Sequence, residues 1–354
     1  MKKFLNFLSS FGIIFAGIFL LFFSSVYFAS GNNFFSKESS LGFVQFPASQ
    51  PAGQAGGKMA AAAVGQAGGD VYLENLPLSK PAIPLAKDKD IFSGTITAVS
   101  AIAVDTKTKT ILFSKNFGEP RPLASITKLM TAMVLLDLPI NWTSTTLIID
   151  ADMAGDHHVN IGEKFTLEDL WNVALIGSSN TSINALVRSA GMTKDGFVSL
   201  MNAKAKELRL SSARFDEPTG LSDKNMANTL DTAKLLIDAL KFDKIFTTAQ
   251  TGEYYARPLN GNKPRRIWTT NWLLTNWIPN NFKVENIAGK TGYIDGSGYN
   301  FAVNISNEKK HTITIVVFGA ATNEDRFSEA RDLAQWTFDH YLWPDDFGYE
   351  NLAE

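Results

Sequence analysis

The chain has 354 residues, of which 45% are hydrophobic, and carries a formal net charge of -2 at pH 7. These values allow one or two folded domains with a sizeable core, and they give no reason to expect a nucleic-acid partner, because no basic stripe runs along the chain. The sequence contains no cysteine, which excludes disulfides, thiolate metal sites, cysteine nucleophiles and a lipidated cysteine.

The N-terminal segment predicts a membrane anchor. Lys2 and Lys3 precede an uncharged, largely apolar run up to Ala29, which as a helix is long enough to cross a hydrocarbon core of roughly 30 Å. The run ends with Tyr27 and Phe28, where the cleavage site of a secretory signal would need small residues. We therefore expect an uncleaved anchor in the cell membrane, with a cleaved signal and a secreted protein as the alternative. In both cases the two lysines stay inside and the rest of the chain is exported.

Shifts in composition predict the domain boundaries. Residues 1–30 form the expected anchor or signal, and residues 31–90 are rich in Ala, Gly and Gln and then in proline. Because this second segment lacks the bulky apolar residues that would offset its ordering entropy, it predicts a linker. Residues 91–345 have the alternating apolar and polar pattern of a globular domain, and residues 346–354 form a C-terminal tail.

The globular segment begins and ends with hairpin patterns. "TAVSAIAVD", "TKTK" and "TILFSKN" predict strand, turn and strand near its start, and "NFAVNIS", "NEKK" and "HTITIVVFGA" predict the same near its end. Between and after them, apolar spacing predicts helices in "ITKLMTAMVLLDL", in "TLEDLWNVALIG" behind a near capping box, and at about Thr181–Ser189, Lys194–Leu208, Thr229–Leu240 and Glu324–Tyr341. A doubly wound sheet would alternate strands and helices throughout. This order instead predicts an α+β fold, with one antiparallel sheet built from both chain ends, packed with helices and carrying an inserted helical subdomain.

A serine and a lysine three residues apart open the first of these helices. Ser125 and Lys128 lie one helical turn apart, so their side chains share a face. A serine hydroxyl is a poor nucleophile until a base takes its proton, and a lysine can be that base when burial and nearby positive charge keep its amine neutral. The alternative is purely structural, with Ser125 as a helix cap and Lys128 as a solvated residue of the first turn. The same spacing occurs at Ser306 and Lys309 in a turn-like segment.

Two further short motifs follow in the chain. Ser178 and Asn180 lie where one predicted helix ends and the next begins, in a position that a turn and a cap would also explain. Lys290-Thr291-Gly292 occurs at a predicted strand end, where a glycine would let a substrate backbone approach closely. Lys290 would supply a second positive charge beside Lys128.

Taken together, the three motifs indicate a family. S-x-x-K, S-x-N and K-T-G in this order are the signature of class A β-lactamases and penicillin-binding proteins. From about Ser100 to Tyr341 the chain resembles the low-molecular-mass penicillin-binding proteins, which are serine D-alanyl-D-alanine carboxypeptidases and endopeptidases. The likeness lies in "RPLASITKLMTAMVLLD", "LEDLWNVALIGSSN", "FDEPTGLSDKN", "TTNWLL" and "GKTGYIDGSGYN", while "MNAKAKEL" followed by "RFDEPTGLS" is closer to the endopeptidase branch.

The resemblance implies a role for each motif residue. Ser125 would attack the D-Ala–D-Ala carbonyl to form an acyl-enzyme, with Lys128 as the general base. Ser178 would pass a proton to the leaving amine, and Asn180 would hold the substrate amide and orient the lysine. The carboxylate side of the substrate would lie at the K-T-G motif, and the backbone N–H groups of Ser125 and Tyr293 would form the oxyanion hole. These substrate-binding residues are Lys290, Thr291, Gly292 and Tyr293.

The resemblance also implies the partners. The substrate would be the peptidoglycan stem peptide, β-lactam antibiotics would act as covalent inhibitors, and neither a cofactor nor a metal is expected. Relatives often attach to the membrane through a C-terminal amphipathic helix, but this chain ends in a short acidic segment, so attachment would rest on the N-terminal segment.

Four functions remain open on the sequence alone. A D-alanyl-D-alanine carboxypeptidase is the first expectation, and a D,D-endopeptidase that cleaves peptidoglycan cross-links uses the same residues. Glu217 follows the S-x-N motif at roughly the distance at which class A β-lactamases carry their deacylating glutamate, which leaves a β-lactamase as a third reading. A non-catalytic module that binds cell-wall peptide is the fourth.

Two other groups of residues have structural explanations. The loop "DADMAGDHHVNIGEKF" offers Asp152, Asp156, His157 and His158, but adjacent histidines do not easily share one metal, so a solvated surface loop is expected. The tryptophans of "RRIWTTNWLLTNW" could stack on sugar rings, although core packing at the sheet edge is the expectation for them. They are Trp268, Trp272 and Trp277.

Overall fold

The computed structural model describes residues 82–261 and 263–353, all of which belong to one compact unit. The expected anchor, residues 1–30, and the linker up to residue 81 lie outside the described residues. Within the described part of the chain, no helix combines the length and the apolar character needed to cross a membrane.

The described residues form thirteen strands and eight α-helices, with the longest strands near the C-terminal end and most of the helices in the middle. The strands are β1 (Leu85–Ala86), β2 (Ser100–Asp105), β3 (Ile111–Lys115), β4 (Arg121–Pro122), β5 (Thr145–Leu147), β6 (Lys164–Thr166), β7 (Met226–Ala227), β8 (Glu253–Ala256), β9 (Arg265–Trp268), β10 (Ile287–Ile294), β11 (Gly298–Ser306), β12 (Thr312–Ala320) and β13 (Tyr341–Leu342). The helices are α1 (Thr127–Asp137), α2 (Leu167–Ile176), α3 (Asn180–Ser189), α4 (Lys194–Glu207), α5 (Thr229–Ala239), α6 (Asp243–Ala249), α7 (Asp325–His340) and α8 (Glu350–Ala353).

The central sheet is antiparallel and has the strand order β10-β11-β12-β2-β3. Both hairpins predicted from the sequence are present in it, and β12 from one end of the domain pairs with β2 from the other. The α+β prediction is therefore confirmed. Strand β10, which carries the K-T-G motif, is an edge strand of this sheet and contacts the segment Ala124–Ile126.

Helices cover both faces of the sheet. This explains why every residue of β2 is buried and why its sequence reads as a nearly continuous apolar run. One face packs against the helical middle of the domain, with contacts to α5, and the other packs against α7. The sheet residues in the first core are Ile102, Val104, Ala302, Val316 and Phe318. Those in the second include Ala101, Ala103, Phe301, Ile315 and Val317.

The predicted helices are confirmed to within a residue or two at their ends. Thr166 caps α2, because its hydroxyl accepts a hydrogen bond from the backbone N–H of Asp169 at 2.9 Å. Helix α6 and the small two-stranded sheets were not predicted. The pairs β4–β7 and β8–β9 have only two to four residues per strand, which is too short to show a clear two-residue alternation.

The C-terminal segment packs onto the domain. Strand β13 pairs with β1, the indole N–H of Trp343 donates to Asp105 at 2.9 Å, and the hydroxyl of Tyr349 donates to the carbonyl oxygen of Ile83 at 2.8 Å. Residues before 91 and after 345 therefore pack onto the domain, outside the boundaries of 91–345 that composition predicts.

Candidate active site

Ser125 lies in a short 3-10 turn, Ala124–Ile126, that leads into α1. Two glycines from distant parts of the chain, Gly220 and Gly292, pack closely against this turn. A Cβ atom on Gly220 would lie 2.1 Å from the carbonyl oxygen of Ala124, and one on Gly292 would lie 2.6 Å from that of Leu123. Ala124 itself has a φ of 49°, a left-handed conformation that residues other than glycine rarely adopt. The backbone at Ser125 is therefore set by close tertiary contacts.

Lys128 is fully buried, with an exposed fraction of 0%. Its Nζ lies 2.8 Å from Ser125 Oγ, 2.6 Å from Asn180 Oδ1 and 2.6 Å from the carbonyl oxygen of Thr219. The structural explanation for the S-x-x-K pair is therefore wrong: Lys128 is not solvated, and no side-chain cap is formed at the start of α1.

The partners of Lys128 determine which way a neutral amine must face. Two of them, Asn180 Oδ1 and the Thr219 carbonyl, can only accept hydrogen bonds, so they take the two N–H groups that a neutral amine has. The lone pair then faces Ser125, the one partner of the three that can donate a proton. Burial lowers the pKa of Lys128 to about 7, although Glu217 and Asp156 act in the opposite direction.

The S-x-N motif occupies the turn between α2, which ends at Ile176, and α3, which begins at Asn180. Ser178 has a φ of 63°, again in the left-handed region. Its Oγ accepts a hydrogen bond from Lys290 Nζ at 2.9 Å. The cap of α3 is Ser179, whose hydroxyl accepts from the N–H of Ser182, so neither motif residue serves as the helix cap.

The K-T-G motif lies within β10, which continues two residues past Gly292 to Ile294. Lys290 is 3% exposed, and burial, followed by the positive charges of Lys128 and Arg326, holds its pKa well below the usual value. Thr291 donates from its hydroxyl to that of Thr270 at 2.6 Å. Each of the two buried lysines is therefore bonded to one of the two motif serines.

The atoms that pack against Gly292 differ from those that the sequence predicted. The sequence predicted close approach of a substrate backbone, but the space over its Cα is taken by the protein's own Leu123 and Ala124. The carbonyl oxygen of Gly292 accepts a hydrogen bond from Arg326 Nη1 at 3.1 Å. The next residue, Tyr293, is about half exposed and stacks on Tyr299 with ring centroids 4.5 Å apart.

Glu217 organises its own loop. One carboxylate oxygen accepts from the N–H and the hydroxyl of Thr219, both at 2.6 Å. The other accepts from the N–H of Gly220 and from Asn225 Nδ2 at 2.7 Å. These bonds shape the segment that presents the Thr219 carbonyl to Lys128 and Gly220 to the turn of Ser125.

Several residues of the site were not found in the sequence. The Thr219 carbonyl, Thr270 and Arg326 contact motif residues, and Asp156 bonds to the S-x-N turn. Thr219 and Thr270 lie in "EPTGL" and "TTNW", two of the segments that carry the family resemblance. Arg326 stands in a helix without any motif. Asp156 was considered only as part of a loop that was expected to be solvated, so the contacts of both residues are what identify their place in the site.

Two expectations about aromatic and loop residues need correction. Trp272 stacks on Phe327 at 5.5 Å in the core as expected, but Trp268 and Trp277 are 45% and 61% exposed. The loop is not simply solvated, because Asp152 is buried and bound by Arg188 at 2.8 Å. Asp152 and Asp156 are thus bound to residues of α3 and its cap.

The arrangement is suited to acyl transfer. A hydroxyl faces the lone pair of a buried amine whose pKa lies near neutrality, so proton transfer from Ser125 to Lys128 is feasible at physiological pH. A second serine and a second lysine, Ser178 and Lys290, lie beside this pair, and the additional positive charge favours an anionic group of a substrate there.

Comparisons with known proteins point to one family. Residues 86–322 match the model of peptidase S11, D-alanyl-D-alanine carboxypeptidase. The chain is 31% identical over 265 residues to a D-alanyl-D-alanine endopeptidase of Pseudomonas aeruginosa, covering 73% of this chain and 81% of that protein. It is 31% identical to a D-alanyl-D-alanine endopeptidase of Escherichia coli, covering 74% and 85%, and 28% identical to a D-alanyl-D-alanine carboxypeptidase of Bacillus subtilis, covering 69% and 63%.

Solved structures share the fold. The Streptomyces K15 DD-transpeptidase superposes with a TM-score of 0.63 at 24% identity, over 70% of this chain and 100% of that one. Penicillin-binding protein D2 from Listeria monocytogenes, in its cefotaxime-bound form, gives a TM-score of 0.59 at 23% identity, over 69% and 98%. Because the S11 model matches more than half of the sequence, the chain belongs to the D-alanyl-D-alanine carboxypeptidase family of serine peptidases.

Proposed function

We propose that the protein is a serine D-alanyl-D-alanine carboxypeptidase that trims peptidoglycan stem peptides through an acyl-enzyme on Ser125. The observation that carries this proposal is the set of contacts around Lys128. Two pure acceptors and one hydroxyl at 2.6–2.8 Å leave the lone pair of a neutral amine facing Ser125 Oγ. Family membership implies a peptidoglycan substrate and covalent binding of β-lactams.

In the first half of the reaction, Lys128 takes the proton of Ser125 while Oγ bonds to the carbonyl carbon of the penultimate D-Ala. The backbone N–H groups of Ser125 and Tyr293 stabilise the oxyanion that forms. The C–N bond then breaks, the leaving amine receives a proton by way of Ser178, and free D-Ala departs. In the second half, water attacks the ester with Lys128 again as base, and the trimmed peptide is released with Ser125 restored.

The substrate-binding roles follow from charge and position. Lys290 is nearly buried and donates to Ser178, and we assign to it and to Thr291 the terminal carboxylate of the peptide. Asn180 orients Lys128 and holds the substrate amide. Gly292 brings the K-T-G strand against the turn of Ser125, and Tyr293 supplies its N–H to the oxyanion.

A D,D-endopeptidase is the second candidate. Endopeptidases of Pseudomonas aeruginosa and Escherichia coli are among the relatives at 31% identity. The two activities share the acyl-enzyme and differ in the leaving group, which is free D-Ala in one case and a neighbouring stem peptide in the other.

Two assays on the purified full-length chain test the proposal. A fluorescent penicillin should form a long-lived adduct that mass spectrometry maps to Ser125, and Ser125→Ala should abolish it. Release of D-Ala from a pentapeptide ending in D-Ala-D-Ala would support the carboxypeptidase, whereas conversion of cross-linked muropeptide dimers to monomers without D-Ala release would support the endopeptidase. A correctly folded protein that forms no adduct and turns over no penicillin would overturn both in favour of a non-catalytic module.

We also propose that the N-terminal segment anchors the protein in the cell membrane with the catalytic domain outside. The support is the pair Lys2 and Lys3 ahead of an uncharged run that ends at Ala29. In cells, the full-length chain should stay with the membrane after an alkaline wash, and protease added outside should digest it. Mature protein that begins after residue 30 would show instead that the segment is a cleaved signal.

A further inference from the structure

Asp156 lies in the loop between β5 and β6 and contacts the S-x-N turn. One of its carboxylate oxygens accepts from the hydroxyl of Ser179 at 2.9 Å, and the other accepts from the backbone N–H of Thr181 at 2.8 Å. Asp156 is partly buried, and its carboxylate also lies 3.4 Å from His158 Nδ1. A single carboxylate therefore bonds to the residues on both sides of Asn180.

The hydroxyl of Ser179 is used twice. It donates to Asp156 and accepts from the N–H of Ser182 at 3.0 Å, which caps α3. Because Asp156 takes the hydroxyl proton, a lone pair of Ser179 Oγ remains directed at the helix N–H. The negative charge of Asp156 also lies at the N-terminal end of α3, where the helix dipole favours it. The charge of Asp156 and the cap formed by Ser179 therefore both stabilise this turn and the start of α3.

The turn needs such support because its conformation is unfavourable. The left-handed backbone at Ser178 is unfavourable for a residue other than glycine and persists only when neighbours fix it. The preceding residue, Gly177, is packed so closely that an added Cβ would lie 2.5 Å from Ile267 and 2.9 Å from His158. The same loop therefore restrains the turn twice, through the carboxylate of Asp156 and through the ring of His158.

We propose that Asp156 is a positioning residue for the acylation step. By bonding to Ser179 and Thr181 it fixes the turn that places Ser178 Oγ against Lys290 and Asn180 Oδ1 against Lys128. Asp156 contacts neither lysine. Its charge acts on Lys128 only at a distance, where it raises the pKa of the amine, so removal of the charge alone would favour the neutral base. A fall in the acylation rate on removal of Asp156 would therefore come from the turn. The proposal rests on the proposed function, since it assigns Asp156 a part in the acylation of Ser125.

The test compares variants of the full-length chain in reaction with a fluorescent penicillin. Asp156→Ala removes both acceptor oxygens, Asp156→Asn keeps one, and His157→Ala changes the exposed neighbour as a control. We expect the acylation rate constant k2 to fall about 10- to 100-fold in Asp156→Ala, because misplacement of a catalytic group by about 1 Å has an effect of that size. The dissociation constant K of the first complex should change less than about threefold, since the penicillin carboxylate site is intact. Asp156→Asn should recover most of k2, and His157→Ala should match wild type.

The outcomes separate this proposal from the proposed function. If wild type and His157→Ala are not acylated, the function itself fails. If they are acylated and Asp156→Ala reacts with wild-type k2, the positioning role is overturned while the function stands. Loss of stability or of the reactive fraction with unchanged k2 would likewise overturn it, because that is the effect of a purely structural residue. Should Asp156→Ala not fold, Ser179→Ala carries the test: a fall in k2 of at least fivefold with unchanged K supports positioning, and an unchanged k2 contradicts it.

Discussion

The guanidinium of Arg326 donates from Nη1 to the carbonyl oxygen of Gly292 over 3.1 Å, and to that of Asn300 over 3.3 Å. Arg326 is only 7% exposed, and burial lowers its pKa to about 10. A trans peptide unit is planar, with its C=O and N–H pointing in opposite directions. The bond to Gly292 therefore directs the N–H of Tyr293 away from Arg326, and that N–H is the second donor of the proposed oxyanion hole.

Replacement of Arg326 should slow acylation. In Arg326→Gln we expect k2 for a fluorescent penicillin to fall about tenfold, somewhat less than the effect of removing an oxyanion donor outright, because the N–H remains but loses its fixed direction. Circular dichroism and the unfolding midpoint establish that the variant is folded. A folded variant with wild-type k2 would show that the peptide keeps its orientation without the guanidinium.

Acylation should increase with pH around neutrality. The reaction needs neutral Lys128, and its pKa of about 7 makes the neutral fraction rise as the proton is lost. From pH 6 to pH 8 that fraction rises about tenfold, so k2/K should do the same. The measurement is a pH profile of penicillin acylation, with circular dichroism at each pH. A profile that is flat from pH 6 to 8 would mean that another group accepts the serine proton.

The same lowered pKa has a consequence for stability. Between about pH 7 and pH 10.5 the unfolded chain binds a proton at Lys128 that the folded protein does not, so the free energy of unfolding rises with pH through this window. In urea unfolding at pH 7 and pH 9, wild type should therefore gain stability relative to Lys128→Met. An equal change in both proteins would contradict the buried, neutral lysine.

Glu217→Gln should lower the stability of the protein and leave the lifetime of the penicillin adduct largely unchanged. The amide would place a donor where Glu217 now accepts from Thr219, Gly220 and Asn225. The expected loss is about 2–3 kcal/mol in the free energy of unfolding, from the unpaired donors that result. Asp216→Asn, on the same loop but with its one side-chain bond to an exposed serine hydroxyl, is the matched control. Slower release of penicillin from a fully stable Glu217→Gln would favour the β-lactamase reading.

Gly220→Ala should abolish acylation. Its φ of 93° is unfavourable for alanine, and the new methyl group would lie 2.1 Å from the carbonyl oxygen of Ala124, beside the nucleophile. We expect a loss of stability of about 2–4 kcal/mol together with at least a hundredfold fall in k2. Gly252→Ala, where the methyl group meets nothing within 4 Å, should behave as wild type. Normal acylation of Gly220→Ala would show that the backbone at Ser125 can shift without harm.

The sequence by itself determined what depends on neighbours along the chain. The two hairpins follow from alternation and turn residues, and the helices follow from apolar spacing and a cap at Thr166. Ser125 and Lys128 share a helix face because they are three residues apart, which holds wherever the helix lies. Each of these features depends only on residues that are close together in the sequence, so it can be predicted without knowledge of the fold.

Only the tertiary structure decided whether those residues form a reactive site. The pKa of Lys128 depends on complete burial, and the direction of its lone pair depends on Asn180 and Thr219, which lie 52 and 91 residues further along the chain. Lys290 meets Ser178 across 112 residues because edge strand β10 runs past the α2–α3 turn. Desolvation and hydrogen-bond geometry are set by what packs around a side chain. Supports such as Asp156 and Arg326, which belong to no motif, therefore become visible only in the folded protein.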